Sequence, residues 1–195
     1  MQLRSAPDVT CSVKHPAAAQ FKRGKSRDSD PYDALVLLTD THKNVTAMLR
    51  DYERRRRRSS QLDKGKRALR ICHMLSIHGA VKQEIFYPAA ASVLSGKAEG
   101  ALNEARVEQH TIDGLVERIE DMPARDELFD WTVHALGRHV SRQFEIEEKE
   151  VFPKLRHSRL DLRGTGELLA SRQLELSTRK PDRHVFHRGK RVMRG

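Results

Sequence analysis

The chain of 195 residues is long enough for one domain with additional segments at its ends. Hydrophobic residues make up 37% of it and charged residues 33%, which allows a modest core. No apolar run approaches the roughly 18 residues of a membrane-spanning helix. The two cysteines, Cys11 and Cys72, are too few for a disulfide framework, and the N-terminus lacks the apolar core of a secretory signal. We therefore expect a cytoplasmic protein with no membrane partner.

The net charge of +10 is unevenly distributed. Residues 1–30 carry a net charge of +3 and residues 179–195 a net charge of +6, so the body between them is nearly neutral. Both ends lack a hydrophobic period, and we expect them to be mobile basic segments. Inside the body, five arginines follow one another at 54–58, which fits either a solvated helix end or an anion-binding patch.

Apolar residues recur at steps of three and four through the body, which indicates helices. Four long helices are expected at about 32–57, 61–87, 98–120 and 126–151. Pro88 is expected to close or kink the second of them, and Pro153 is expected to end the fourth. Long helices joined by short connections predict an all-α fold, an up-down-up-down four-helix bundle over 31–156. A fifth amphipathic helix within 157–178 is expected to pack beside this bundle.

A polar residue interrupts the inward stripe of each predicted long helix. In chain order these residues are His42, His78 with Lys82, His110, and Gln143 with Glu147. On the third helix, the predicted buried side comprises Val107, His110, Gly114 and Leu115. Burying such polar groups is costly unless they find partners. Imidazole and carboxylate are also ligands of iron, zinc and manganese, so the set predicts either a hydrogen-bonded core cluster or a metal site.

Four segments carry a resemblance to a known family. They are TDTHK at 39–43, HGAVKQEIFYP at 78–88, EQH at 108–110 and EEKEVFP at 147–153. Over about residues 30–176, the chain resembles bacterial hemerythrin-like proteins with the HHE cation-binding domain. The resemblance implies a four-helix bundle around a non-haem di-iron centre. Its typical ligands are a His on the first helix, a His-x-x-x-Glu pair on the second, a His on the third and a His-x-x-x-Glu pair on the fourth.

Four of these six ligand positions match the family pattern in this chain, at His42, His78, His110 and Glu147. Lys82 stands where the second helix should supply a glutamate, and Gln143 stands where the fourth should supply a histidine. A protonated lysine has no lone pair and places positive charge where a dication should bind. The amide oxygen of a glutamine is a weak ligand for iron. The resemblance thus implies a partly degenerate iron site.

Three hypotheses follow for this altered site. In the first, His42, His78, His110 and Glu147 hold one iron ion, with His139 and Glu84 as substitute ligands. Such a centre would bind O2 or a small oxidant, or would serve in redox sensing, iron sensing or iron buffering. In the second, no metal binds, and the ammonium of Lys82 pairs with Glu147 inside a scaffold. In the third, the basic ends bind nucleic acid or an acidic partner through salt-dependent contacts.

We expect the hemerythrin-like metal protein, with one or two iron ions, as the main function. The alternative is a metal-free helical bundle that acts through its basic ends. Catalysis is not expected, because the sequence contains no Ser/His/Asp or Cys/His constellation. Cys72 lies among apolar neighbours in a predicted helix and is expected to be a small core residue.

Overall fold

The structure, a computed structural model, describes residues 30–178, and this part of the chain contains helices and no strand. The helices are α1 (Ala34–Arg55), α2 (Gln61–Val81), α3 (Tyr87–Ala91), α4 (Lys97–Asp121), α5 (Phe129–Ile146), α6 (Phe152–Arg156) and α7 (Leu162–Thr178). A first π-helical segment, Lys82–Phe86, joins α2 to α3, and a second, Glu147–Val151, joins α5 to α6. A 3-10 turn, Arg56–Arg58, follows α1. Apart from Asp30, the predicted mobile basic ends lie outside the described residues.

The long helices enclose one core. Helix α1 packs against α2 and α5, α2 packs against α4, and α4 packs against α5, which closes a ring of four neighbours. This arrangement confirms the predicted all-α helical bundle. Helix α7 covers α1, α2 and the first π segment from outside. Within residues 30–178, no helix combines the length and the apolar composition needed to cross a bilayer.

Local signals in the sequence account for the helix starts. The Asp33 carboxylate accepts hydrogen bonds from the first free N–H groups of α1, and the Ser60 hydroxyl accepts one from the N–H of Asp63 in α2. Gly96 precedes α4 with a φ of 59°, a conformation that glycine adopts without steric cost. These caps place α1, α2 and α4 within two residues of their predicted starts.

The prediction that Pro153 ends the fourth helix is wrong, and Pro88 does not close the second helix, which was one of the two outcomes expected for it. Both prolines lie inside continuous helical rods, in the first turn of α3 and of α6, directly after a π segment. Proline has no N–H to bond the carbonyl four residues earlier. The wider π turn shifts the ladder, as shown by the N–H of Tyr87, which bonds to the Lys82 carbonyl five residues before it. The helix therefore passes the proline instead of ending there.

The buried apolar residues form two clusters along the bundle. One cluster contains, among others, Val45, Ile71, Cys72, Ile112 and Leu136. The other contains, among others, Leu38, Val81, Leu102, Val151 and Leu155. Burial of Cys72 in the first cluster agrees with the prediction of a small core residue. Along their helices, His42, His78 and Gln143 lie between residues of one cluster and residues of the other.

Helix α7 approaches the start of α1 very closely at Gly166. A β carbon at this position would lie 1.7 Å from the carbonyl oxygen of Tyr32, so only glycine fits without movement of the backbone. Further along α7, Arg172 donates two hydrogen bonds to the carboxylate of Glu84 in the first π segment. These contacts fix α7 across the outside of the segment that begins with Lys82.

Candidate metal centre

A layer of buried polar side chains crosses the middle of the bundle. Its members are His42 from α1, His78 from α2, Lys82 and Glu147 from the two π segments, Gln109 from α4 and Gln143 from α5. Lys82 and Glu147 are each the first residue of a π segment, and both are fully inaccessible to solvent. The two bulges thus bring one cation and one anion together inside the core.

The two oxygens of Glu147 have different surroundings. Its Oε1 accepts hydrogen bonds from Lys82 Nζ at 2.9 Å and from the Tyr87 hydroxyl at 2.7 Å. Its Oε2 accepts no hydrogen bond and lies 3.2 Å from His42 Nε2. Burial opposes the charge on Glu147, but the attraction of the adjacent Lys82 ammonium outweighs it and holds the pKa of Glu147 well below its usual range. One oxygen of this carboxylate is satisfied and the other is free to bind a cation.

Lys82 forms an ion pair in the place where the family supplies a carboxylate. Burial lowers the pKa of Lys82, and the adjacent Glu147 carboxylate counteracts this effect. The ammonium also lies 5.5 Å from the centre of the Tyr87 ring and 5.8 Å from that of Phe144, on the scale of cation–π contacts. Burial and Glu147 together raise the pKa of Tyr87 well above its usual value, so its hydroxyl keeps the proton that it donates.

Three buried atoms without hydrogen-bond partners converge beside this pair. They are His42 Nε2, His78 Nε2 and Glu147 Oε2, and donor atoms of these three side chains lie within 4.8 Å of one another. Burial, Lys82 and His42 lower the pKa of His78 well below its usual value, which keeps its imidazole neutral. Two imidazole nitrogens and one carboxylate oxygen form a donor set suited to one divalent transition-metal ion.

His42 is held in place from two sides. Its ring stacks on Phe144 with a centroid distance of 3.7 Å and an interplanar angle of 10°. Its Nδ1 lies 2.7 Å from an oxygen of Glu148, which accepts the Nδ1–H hydrogen bond. A neutral His42 that donates from Nδ1 directs the lone pair of Nε2 toward Glu147, where two lone pairs meet at 3.2 Å. This contact is favourable only when a proton or a metal ion lies between them.

The opposite side of the layer is filled by amides. Gln143 Nε2 lies within 3.2 Å of three acceptors, namely the Tyr87 hydroxyl and the oxygens of Ala105 and Gln109. Gln109 in turn donates a hydrogen bond to Asp113. Because its amide nitrogen faces this cluster, Gln143 acts as a hydrogen-bond donor that connects α5 to α4.

The prediction that His110 faces the site is corrected by the structure. Its side chain is exposed, and Gln109 takes the buried position on α4. Val107, also predicted to be buried, is 65% exposed. The inward stripe of α4 follows Leu102, Ala105, Gln109, Ile112, Val116 and Ile119. These residues follow one another at steps of three and four, and their apolar side chains are larger than those of the predicted face. This stripe is therefore the side of α4 that is buried.

Neither substitute ligand reaches the layer. His139 has a 40% exposed side chain and bonds to Glu108, and Glu84 has a 46% exposed side chain and bonds to Arg172. Of the predicted metal ligands, the structure brings together His42, His78 and Glu147. It adds Tyr87, Gln109 and Glu148, which the sequence analysis did not single out. The spacing of the α4 stripe was the available signal for Gln109.

Comparison with known proteins agrees with this architecture. Residues 33–155 match the family described as Hemerythrin HHE cation binding domain. The chain belongs to the hemerythrin HHE cation-binding family. Among solved structures, it is similar to a hemerythrin HHE cation binding domain-containing protein from Mycobacterium kansasii, with a TM-score of 0.59 and 15% sequence identity. That match covers 74% of this chain and 86% of the other, and it shows the shared fold. No curated protein matches the chain.

The residues of this hemerythrin-like chain fit one metal ion and do not fit two. The triad of His42, His78 and Glu147 Oε2 supplies lone pairs without other partners. On the other side of Glu147 lie the Lys82 ammonium and the amides of Gln109 and Gln143, which bond to one another or to protein acceptors. A protonated ammonium is a donor only, and it repels a dication in a site of low dielectric constant.

Proposed function

We propose that this protein binds a single iron ion through His42 Nε2, His78 Nε2 and Glu147 Oε2. The observation that carries the proposal is the convergence of these three buried, unpartnered atoms. Buried polar atoms in proteins nearly always have partners, so the convergence of three such atoms at one point supports the binding of a cation there. Neutral imidazole and carboxylate suit iron, although zinc and manganese bind similar donors.

Three side chains around this triad support the proposed site. Glu148 fixes the tautomer of His42, Phe144 holds the ring by stacking, and Lys82 neutralises the Glu147 oxygen that faces away from the metal. Three protein ligands leave coordination positions open, and iron bound there would supply redox chemistry toward O2 or another small oxidant. The buried aromatic rings exclude bulk water.

We infer a role in sensing oxygen, redox state or iron, or in buffering iron, in the cytoplasm. Reversible oxygen transport in this family requires a pair of iron ions, and the Lys82 ammonium occupies the side of Glu147 where a second ion would bind. No arrangement among the described residues suggests a catalytic nucleophile, so the proposal does not include an enzyme activity.

A metal-free interaction protein is the second candidate, and the fully buried Lys82–Glu147 ion pair favours it. The ammonium already neutralises Glu147, and a protonated His42 between Glu147 and Glu148 would balance the remaining charge. The bundle would then be a scaffold, and the basic ends 1–30 and 179–195 would bind nucleic acid or an acidic partner through their charge.

Metal analysis after anaerobic reconstitution with ferrous iron and removal of loosely bound ions distinguishes the two candidates. The proposal expects one iron per chain in the wild-type protein and none in His78→Ala. His110→Ala is the matched control, because this histidine is exposed, and it should keep the wild-type content. A folded wild-type protein without bound metal would contradict the proposal and support the scaffold.

A further inference from the structure

Two grooves approach the polar layer from different sides of the bundle. A groove of about 430 Å³ lies beside Tyr87, and its lining includes Arg106 and His110. A groove of about 490 Å³ lies between α1 and α5, and its lining includes His42 and Glu148. The second groove is called the α1–α5 groove below. It reaches one of the three triad residues directly.

We propose, on the basis of the single-metal function above, that a divalent cation reaches the triad through the α1–α5 groove and that Glu148 controls this passage. The asymmetry of Glu147 supports this direction. Its free oxygen, Oε2, lies beside His42, whereas Oε1 lies beside Lys82 and Tyr87. A cation that entered past Tyr87 would meet the Arg106 guanidinium in that groove and the Lys82 ammonium before it reached the free oxygen of Glu147.

The charges of the α1–α5 groove leave Glu148 as its receiving carboxylate. Of the other charged residues that line it, Lys149 pairs with Glu145, Lys43 pairs with Asp40, and Arg50 is the third cation. The side chain of Glu148 is 42% exposed and contacts buried His42 at the same time. It is therefore the carboxylate that connects solvent to the triad.

The same residue also positions His42. By accepting the Nδ1–H hydrogen bond at 2.7 Å, Glu148 selects the tautomer whose Nε2 lone pair points into the triad. When the Glu148 side chain rotates away, the edge of His42 becomes accessible from the groove. When it returns, it restores the hydrogen bond and closes the passage. Glu148 is thus a positioning residue as well as the gate.

Blocking one groove at a time tests the route. In a Cys11→Ser background, Ala47→Cys places a thiol in the α1–α5 groove, and Ala91→Cys places a matched thiol in the other. Both alanines are exposed and helical, and burial raises the pKa of the Cys72 thiol to about 12, which protects it from labelling. After reaction with a bulky maleimide, the rate of Co2+ uptake is followed by its visible absorption in a stopped-flow instrument.

Labelling at Ala47→Cys should slow Co2+ uptake at least tenfold, and labelling at Ala91→Cys should change it less than twofold. Equal effects, or a larger effect at Ala91→Cys, would overturn the route. A wild-type chain that takes up no Co2+ would contradict the proposed function and the route together. Uptake without a preference between the grooves would contradict the route alone.

The positioning role of Glu148 has a readout that needs no metal. At alkaline pH, the 15N chemical shifts of His42 in the metal-free protein should show the neutral Nδ1–H tautomer in the wild type and in Glu148→Gln, which keeps an acceptor oxygen. In Glu148→Ala they should show a mixture of tautomers, with a loss of Co2+ affinity of about 10- to 100-fold. Glu145→Gln lies in the same groove without contact to His42 and is the control. An unchanged tautomer in Glu148→Ala would overturn this role.

Discussion

In the proposed single-metal site, Lys82 is the residue that limits the number of bound ions. Its ammonium binds one oxygen of Glu147, supplies the positive charge that a second ion would supply, and leaves the other oxygen beside His42 and His78. A buried ion pair stabilises a fold little when compared with an apolar pair, but the loss of one partner leaves an uncompensated charge in the core. The identity of this one residue therefore affects both stability and metal content.

Replacing Lys82 by the similarly shaped Met should destabilise the metal-free protein. Glu147 would remain buried without its cation, and breaking such a pair costs about 3–5 kcal/mol of unfolding free energy. Urea denaturation in the presence of a chelator measures this change. The double variant Lys82→Met/Glu147→Gln should recover part of the loss. Lys149→Met breaks an exposed pair with Glu145 and should have little effect. A similarly small effect for Lys82→Met would contradict the buried pair.

Restoring the ligands of the second ion requires three changes on this side of Glu147. The variant Lys82→Glu/Gln109→His/Gln143→His replaces the ammonium and both amides with ligating groups. We expect it to bind two iron ions per chain and to develop the absorption of an oxo-bridged pair. The control variant Lys82→Glu/Gln143→His/His110→Gln also carries three changes but keeps Gln109. We expect it to bind one iron ion per chain. Equal iron content in the two folded variants would contradict the assignment of Gln109 to the site.

Among the elements, the two π segments place Lys82 and Glu147 in the buried polar layer. The sequences KQEIFYP and EEKEVFP each begin with the residue that starts a π segment and end with a proline six positions later. The register change required by each proline occurs at the depth of Lys82 and of Glu147. Conversion of a π segment into a regular α-helix would rotate the residues on one side of it relative to those on the other.

Docking of α7 depends on the absence of a side chain at Gly166. Gly166→Ala would force its β carbon against the Tyr32 carbonyl, so we expect a loss of about 2–3 kcal/mol and faster hydrogen exchange in Leu162–Thr178. Gly114→Ala is the control. Its β carbon meets no atom within 4 Å, and the change should stabilise α4 by about 0.5–1 kcal/mol. Equal exchange of α7 in both variants would contradict close packing at Gly166.

The sequence predicted the positions of the helices better than it predicted which face of α4 is buried. Strong apolar periods placed most helix starts within a few residues, and the structure adds the caps Asp33 and Ser60 that account for two of these starts. On α4, the predicted face with Val107 and His110 was wrong, because tertiary packing buries the adjacent face with Gln109. The prolines were misread because proline breaks an α ladder but is tolerated after a π turn, a register change that apolar spacing does not reveal.

Lys82 pairs with Glu147 in the structure, as the second hypothesis predicted. Two opposite charges that are buried at the same depth on facing helices have few other partners. The hydrogen bonds of Tyr87 and Glu148 depend on side-chain geometry across the bundle. No sequence pattern contained them.

At the scale of the whole molecule, the excess charge lies outside the bundle. Residues 1–30 and 179–195 carry nearly all of the net charge of +10, so the proposed affinity for an acidic partner belongs to the ends. Removal of 179–195 should strongly weaken binding to a polyanion such as heparin, and the remaining affinity should fall steeply with salt. Elution from a heparin column measures this change. Charge reversal at Arg54 and Arg55, at the end of α1, is the control and should weaken heparin binding less. Unchanged elution of the truncated chain would contradict a role for this end.

The number and position of bound ions test the central claim most directly. Crystals of the full chain loaded with ferrous iron under anaerobic conditions can be measured at the iron absorption edge. The account predicts one anomalous peak per chain, among His42 Nε2, His78 Nε2 and Glu147 Oε2, with Lys82 still paired to Oε1. The absence of a peak in the loaded protein, or a peak on the Lys82 side of Glu147, would contradict it.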